Sequence, residues 1–242
     1  MKMVINAVLR KAGYELHRSR DMRDALSFLF RRAQVENVVD IGANRGESVS
    51  QWREMFPSAH ISCFEPVAEN YRFLTDRFAN DPAVTLYAKA VSNKNGQFEI
   101  NLSAGHTTHS FLPRAKNPKY GPPRLELGRT EKVHTTTLDS WINEQNLARS
   151  INLLKIDTEG FESAVLEGAT EALGAQKIDV VMVELMFVPI YEGQALYFEI
   201  AKSLNRLGYS IYDMPSIQRH ADGQIRWTDG IFLSRQFRDT WL

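Results

Sequence analysis

The sequence predicts a three-layer α/β fold, in which a mostly parallel sheet is covered by helices on both faces. Three observations carry this expectation. Short apolar runs alternate with amphipathic stretches along most of the chain, the first run ends at a glycine-bearing turn, and acidic residues stand at the ends of successive runs. The 242 residues, 43% of them hydrophobic, suit one domain with extra elements and a sizeable core.

Each element follows from its local pattern. Residues 36–41 form an apolar run that ends at the glycine turn, and residues 47–56 then carry helix formers up to Pro57. Ile61 to Phe64 is a second strand, closed by Glu65 and Pro66, and Val67, Tyr71, Leu74 and Phe78 mark a helix over 67–79. Residues 83–91 read as a third strand and 97–102 as a short additional one. Residues 103–131 hold glycines and prolines without period, as expected of a lid or acceptor loop. A strand at Val133 to Thr137 and a short helix at Leu138 to Glu144 follow. Ile151 to Ile156 is a strand ending at Asp157, and residues 161–173 form one amphipathic helix. Ile178 to Val183 is a buried strand ending at Glu184, and 194–207 is a helix stopped by Gly208. Tyr209 to Tyr212 and Gly230 to Leu233 complete the sheet. The expected organisation is an N-terminal helical extension over 1–34 and one domain over 35–242, with the lid at 103–131.

Composition excludes several classes. Twenty-nine basic residues balance 29 acidic ones, so no general electrostatic grip on nucleic acid is expected. The single cysteine, Cys63, lies in an apolar run and reads as a small buried hydrophobe. No apolar run is long enough to span a bilayer. Val4 to Leu9 is followed at once by Arg10 and Lys11 with no small-residue cleavage signature, so a signal peptide is not expected. That segment suits a helix packed on the domain or one lying on a membrane or partner surface. The expectation is a cytoplasmic protein, free or peripheral to a membrane-associated biosynthetic complex.

The turn after the first strand is the most informative feature. Asp40, Gly42, Ala43, Asn44 and Gly46 sit between strand exit and helix entry, where glycines permit sharp turns and the helix start offers free amides. Asp40 suits a cationic amino group, and Glu65, ending the next strand, suits ribose hydroxyls. A dinucleotide loop would carry glycines at its first, third and sixth places; here those are Gly42, Asn44 and Glu47. Asp40 would also repel a pyrophosphate. The loop therefore favours a cofactor with an amino-acid part and no phosphate.

With Val39 to Gly46, Phe64-Glu65-Pro66, Ala90-Val91-Ser92, Thr137-Leu138-Asp139, Leu153 to Glu162 and Val165 to Ala169 in this order, the chain resembles the FkbM-type methyltransferase family. The resemblance runs from about residue 35 to 235, and Lys155 to Glu162 is its most specific piece. It implies a Rossmann-like class I methyltransferase sheet of seven mostly parallel strands, with a lid inserted before the fourth. It also implies S-adenosyl-L-methionine as cofactor and transfer to a hydroxyl of a surface glycan or natural product. By that match residues 40–46 cradle the methionine end and Glu65 holds the ribose. Pro66, Ala90, Val91 and Ser92 would flank adenine, and Asp157 would face the reaction.

Methyl transfer requires alignment, exclusion of water and, for an alcohol, a base. His106, His109, Asp157, Glu159 and Glu184 lie near the expected carboxyl edge of the sheet, and His109, Asp157 and Glu184 form the expected catalytic set. The histidines depart from the family pattern, and a solvated lid would carry them equally well. Glu159 could instead cap the following helix, Glu184 could be structural, and Lys155 and Asp157 should share a face. Two histidines without a third ligand give no expectation of a metal. Arg114, Lys116, Lys119, Arg124 and Arg129 suit an anionic acceptor such as a phosphate- or nucleotide-linked sugar, or simply a solvated basic loop. Tyr191, Tyr212 and Trp227 could stack on a sugar or simply pack. N- or C-methylation, a nucleotide-dependent oxidoreductase and a non-catalytic cofactor-binding scaffold remain as other readings at this point.

Overall fold

A computed structural model describes residues 21–104, 108–115, 126–145 and 151–241. The Val4 to Leu9 segment, His106, Lys116, Lys119 and Arg124 lie outside the described residues. In chain order the elements are α1 (Met22–Leu29), β1 (Asn37–Ile41), α2 (Glu47–Met55), β2 (His60–Phe64), α3 (Ala68–Arg77), β3 (Val84–Tyr87), β4 (Ala90–Val91), β5 (Gly96–Ser103), β6 (Glu126–Thr136), α4 (Leu138–Glu144) and β7 (Ile151–Ile156). Then come α5 (Glu162–Glu167), α6 (Thr170–Gly174), β8 (Ile178–Met186), α7 (Tyr197–Arg206), β9 (Tyr209–Asp213), β10 (Gln218–Arg219), β11 (Ile225–Ser234) and α8 (Arg235–Trp241).

The main sheet runs β3-β2-β1-β7-β8-β11, with β9 and β10 also paired to β11. The pairs from β3 to β8 are parallel, and β11 is antiparallel to its neighbours. This is a Rossmann-like sheet whose strand order reverses at β1. There the connections leave in opposite directions and open a crevice above the carboxyl ends of the strands.

The apolar runs are nearly continuous because these strands are buried on both faces. Val39, Ile41, Leu154, Ile156, Val181 and Val183 join one core with Leu138, Trp141, Val165 and Leu204 from the helices. The alternate residues Val38, Leu153, Val180, Ile231 and Leu233 join a second core with Leu26, Leu29, Trp52 and Phe237. Helix α1, expected as part of an extension, thus packs within the domain core. Among the described residues no helix is long and apolar enough to cross a membrane.

Three element expectations need correction. The run 83–91 is two strands: Val84 to Tyr87 pairs with β2, whereas Ala90 and Val91 pair with Thr135 and Thr136 in a separate sheet, β4-β6-β5. Strand β6 begins at Glu126, well inside the expected lid, and pairs antiparallel with β5. Its Arg129 and Thr130 are exposed, so no apolar alternation announces it. The helix expected over 161–173 is two helices. A Cβ on Gly168 would sit 2.0 Å from the Ser92 carbonyl oxygen, and the backbones meet where the helix breaks.

Candidate active site

The crevice holds a cavity of about 640 Å³. Gly42, Ala43, Asn44, Glu65, Pro66, Ala90, Val91, His109, Asp157 and Glu184 all line it, so ten of the expected site residues share one space. Asp40, Gly46 and Ser92 are not on its wall.

The glycine loop is built largely by the protein itself. The Gly42 and Ala43 amides both donate to the Phe64 carbonyl at the end of β2. Gly42 has φ +82°, and a Cβ there would lie 1.9 Å from the Asp157 carbonyl oxygen. The close approach its glycine allows is therefore that of the chain's own backbone. Gly46, at φ +86°, starts α2 and turns toward Phe78, where a Cβ would meet the ring at 2.5 Å.

Asp40, expected to meet the cofactor's amino group, is fully buried. The Trp52 indole donates to its Oδ2 at 2.8 Å, and the Lys155 ammonium lies 3.2 Å from Oδ1. Lys155 also donates to the Gly42 carbonyl at 2.9 Å and lies 3.3 Å from Asp157 Oδ2. Burial disfavours the lysine charge, but Asp40 and Asp157 outweigh that cost and raise its pKa. Lys155 therefore locks the glycine loop to the end of β7. The alternation-based expectation that Lys155 and Asp157 share a face agrees with this contact.

Glu65 accepts from the Asn44 amide through Oε2 (2.9 Å) and from the Val67 amide through Oε1 (2.8 Å). Burial pushes its pKa up to about 7, against the pull of these two amides. A carboxylate has roughly four acceptor positions. Three are used, since the Asn70 side chain also bonds this carboxylate, and about one remains for a hydroxyl donor in the cavity.

The turn after β7 explains the Lys155 to Glu162 motif. Glu162, not Glu159, organises the start of α5: its Oε1 accepts from the Thr158 amide (2.9 Å), the Thr158 hydroxyl (3.0 Å) and the Gly160 amide (3.2 Å). Glu159 points to the cavity instead and accepts from the Tyr191 hydroxyl at 2.9 Å.

Within the expected lid, residues 108–115 are stitched across the carboxyl edge. Ser110 and Asn101 exchange backbone hydrogen bonds, and the Ser110 hydroxyl donates to the Glu159 carbonyl at 2.6 Å. On the other side Ala115 and Pro113 bond the 190–192 segment. His109 Nδ1 accepts from the Ser103 amide at 3.1 Å. The neutral ring then keeps its proton on Nε2, so its lone pair is committed and the ring is suited to donate.

Sequence reasoning missed Asp229. It pairs across the sheet with Glu184 and lines the cavity, but the apolar run that marked β11 begins only at Gly230. Burial, then the Asp157 charge, raise Asp229 to about 6. Burial and the charges of Asp157, Glu159, Glu162 and Asp229 raise Glu184 well above the usual carboxylate range. Cys63, off the cavity wall, is fully buried; burial and the Asp40 charge raise its thiol pKa, which removes it as a nucleophile.

The family profile described as "Methyltransferase FkbM domain" matches residues 40–211. The 2-O-methyltransferase NoeI of Sinorhizobium fredii is 28% identical over 163 residues, covering 65% of this chain and 66% of that protein. The hexuronic acid methyltransferase AglP of Haloferax volcanii is 25% identical over 175 residues, covering 71% and 66% respectively. The chain thus spans slightly less than two thirds of the length of each of these relatives. Among solved structures, a putative rRNA methylase from Clostridium thermocellum superposes with a TM-score of 0.47 at 7% identity, over 90% of this chain and 97% of that one.

Proposed function

The chain belongs to the FkbM methyltransferase domain family, and from that premise we propose that it methylates a hydroxyl oxygen of a sugar or glycan. S-adenosyl-L-methionine is the cofactor, and the cavity's donor set fits it. Glu65 lines the cavity and keeps acceptor capacity for a ribose hydroxyl, the loop carries no phosphate-binding glycine pattern, and Pro66, Ala90 and Val91 offer a flat apolar wall for the base. When bound, the cofactor supplies a methyl carbon activated by an adjacent sulfonium.

The observation that carries the proposal is the joining of that cofactor wall to an acidic wall, Asp157, Glu159, Glu184 and Asp229, within one cavity. A sulfonium is drawn to such a wall, and a hydroxyl nucleophile needs a carboxylate there to take its proton. In this reading Asp157, fixed by Lys155, orients the reacting groups. Glu184, whose pKa its acidic neighbours raise, and His109 line the same space beside the acceptor oxygens. The relatives' names, a 2-O-methyltransferase and a hexuronic acid methyltransferase, support oxygen as the acceptor atom and a sugar as the acceptor class.

Among the described wall residues the one lysine or arginine is Lys155, already engaged by Asp40 and Asp157. Of the basic lid residues that suggested an anionic acceptor, Lys116, Lys119 and Arg124 lie outside the described residues. Arg114 acts on Glu159 and Tyr191, and Arg129 is exposed on β6.

A labelled-methyl assay against neutral oligosaccharides, nucleotide sugars and hexuronates tests this. The expected product carries an alkali-stable methyl ether on a sugar hydroxyl. Label released by alkali would indicate an ester, and label on nitrogen or carbon would move the reading to another acceptor atom. Calorimetry should show S-adenosylhomocysteine binding and no NAD binding; the reverse would return the oxidoreductase reading.

A further inference from the structure

Glu159 is held in a conformation that its own backbone disfavours. It is not a glycine, yet its φ is +53°, in the left-handed region. Such a conformation is disfavoured for a residue with a side chain and persists only where the surroundings enforce it. Three restraints from different parts of the chain do so. The Ser110 hydroxyl holds its carbonyl at 2.6 Å, the Glu162 carboxylate bonds the amides on either side of it, and the Tyr191 hydroxyl bonds its Oε2 at 2.9 Å. Tyr191 can approach because Gly160 lacks a side chain; a Cβ there would meet the ring at 2.9 Å.

The result is a carboxylate aimed into the cavity with one oxygen fixed. Helix capping does not account for it, because α5 has no side-chain cap and the Glu159 carboxylate bonds Tyr191 instead. Asp157 is less suited to take a proton, since doing so would break its ion pair with Lys155. Glu184 sits deeper among the acids, where burial and the charges of Asp157, Glu159, Glu162 and Asp229 raise its pKa well above the usual carboxylate range.

We propose that Glu159 is the general base of the methyl transfer. Its Oε1 takes the proton of the acceptor hydroxyl while that oxygen forms the new bond to the methyl carbon. The carbon–sulfur electron pair returns to sulfur, leaving a methyl ether, a neutral thioether and a protonated Glu159. This assignment rests on the methyl-transfer reading above.

The groups facing Glu159 suit the role. Burial, then the Asp157 charge, raise it to about 8; the Tyr191 hydrogen bond opposes this, Glu162 adds to it, and Arg114 from the 108–115 segment opposes it. Glu184 on β8 shares the same field. A base should have its pKa near the working pH, where both its charge and its proton affinity are useful.

The test uses the acceptor returned by the labelled-methyl screen. Wild-type kcat/KM should rise with pH and level off above about 8. Glu159→Gln should bind S-adenosylhomocysteine within about twofold of wild type, lose roughly 100-fold or more in kcat, and lose the acidic limb of the profile. Tyr191→Phe removes a hydrogen bond that favours the charged carboxylate, so its acidic limb should move to higher pH. Retention of kcat within about threefold by Glu159→Gln, or of its acidic limb, would overturn the assignment. So would an unmoved limb in Tyr191→Phe, which also decides the matter if Glu159→Gln does not fold. A wild-type protein that binds S-adenosylhomocysteine but methylates nothing would instead overturn the transfer reading itself.

Discussion

At the scale of single residues, the site divides its acids between two tasks. Asp40 and Glu162 are spent on the protein: one anchors Lys155 and Trp52, the other ties a turn. Glu65, Asp157, Glu159, Glu184 and Asp229 face the ligand space. Glu65 yields the clearest binding prediction. Its ordinary pKa of 4.5 is raised to about 7, whereas hydroxyl donors from a ribose favour its charged form. Affinity for S-adenosylhomocysteine should therefore rise as pH increases through about 7. Glu65→Gln should weaken binding by roughly 10- to 100-fold, the loss of a charge-assisted hydrogen bond, and flatten the pH dependence. Calorimetry at several pH values measures both, and equal affinities would remove Glu65 from the ribose position.

At the scale of elements, the turns at the carboxyl edge of the sheet are set by backbone contacts between elements far apart in sequence. Gly42 meets Asp157, and Gly168 meets Ser92, at distances that only a hydrogen side chain allows. Gly168→Ala would push α5 and α6 away from the Ser92 turn. It should cost about 1–3 kcal/mol, as overpacking does. Urea unfolding would detect this, and an unchanged midpoint would mean that the α5–α6 break does not depend on the contact. The motif from Lys155 to Glu162 is legible in sequence because so many of its side chains have fixed partners. The role of Glu159 within it was not legible. Whether an acid at the start of a helix caps that helix or faces a cavity depends on φ at one residue and on Tyr191, 32 positions away.

At the scale of the whole molecule, an acidic cavity without its cationic ligand is a source of instability. Asp229, Glu65 and Glu159 have ordinary values of 3.8 to 4.5 and folded values of about 6, 7 and 8. In that window the unfolded chain has released these protons while the folded chain retains them. The folded state then binds more protons, so stability falls as pH rises from about 4 to about 8. A bound sulfonium compound favours the ionised forms and should reverse part of the loss. Thermal unfolding should show a lower Tm for the free protein at about pH 8 than at about pH 5.5, and a larger rise on adding S-adenosyl-L-methionine at the higher pH. A ligand-induced shift independent of pH would contradict this electrostatic account.

The sequence by itself determined the alternation of strands and helices, the glycine loop, the placing of Glu65, Asp157 and Glu184 near one edge, and the family. These are carried by local period, by turn chemistry and by motifs in which neighbouring residues satisfy one another. It did not determine that 83–91 divides between two sheets, that β6 starts at Glu126, or that Asp40 lies beneath the cavity wall. Nor did it show that Asp229 stands opposite Glu184. Those outcomes depend on which strand pairs with which, and on how far each side chain lies from a partner remote in sequence. Tertiary structure alone brings the acids together, and their shared burial and repulsion, absent from any one segment of the chain, tune them for chemistry.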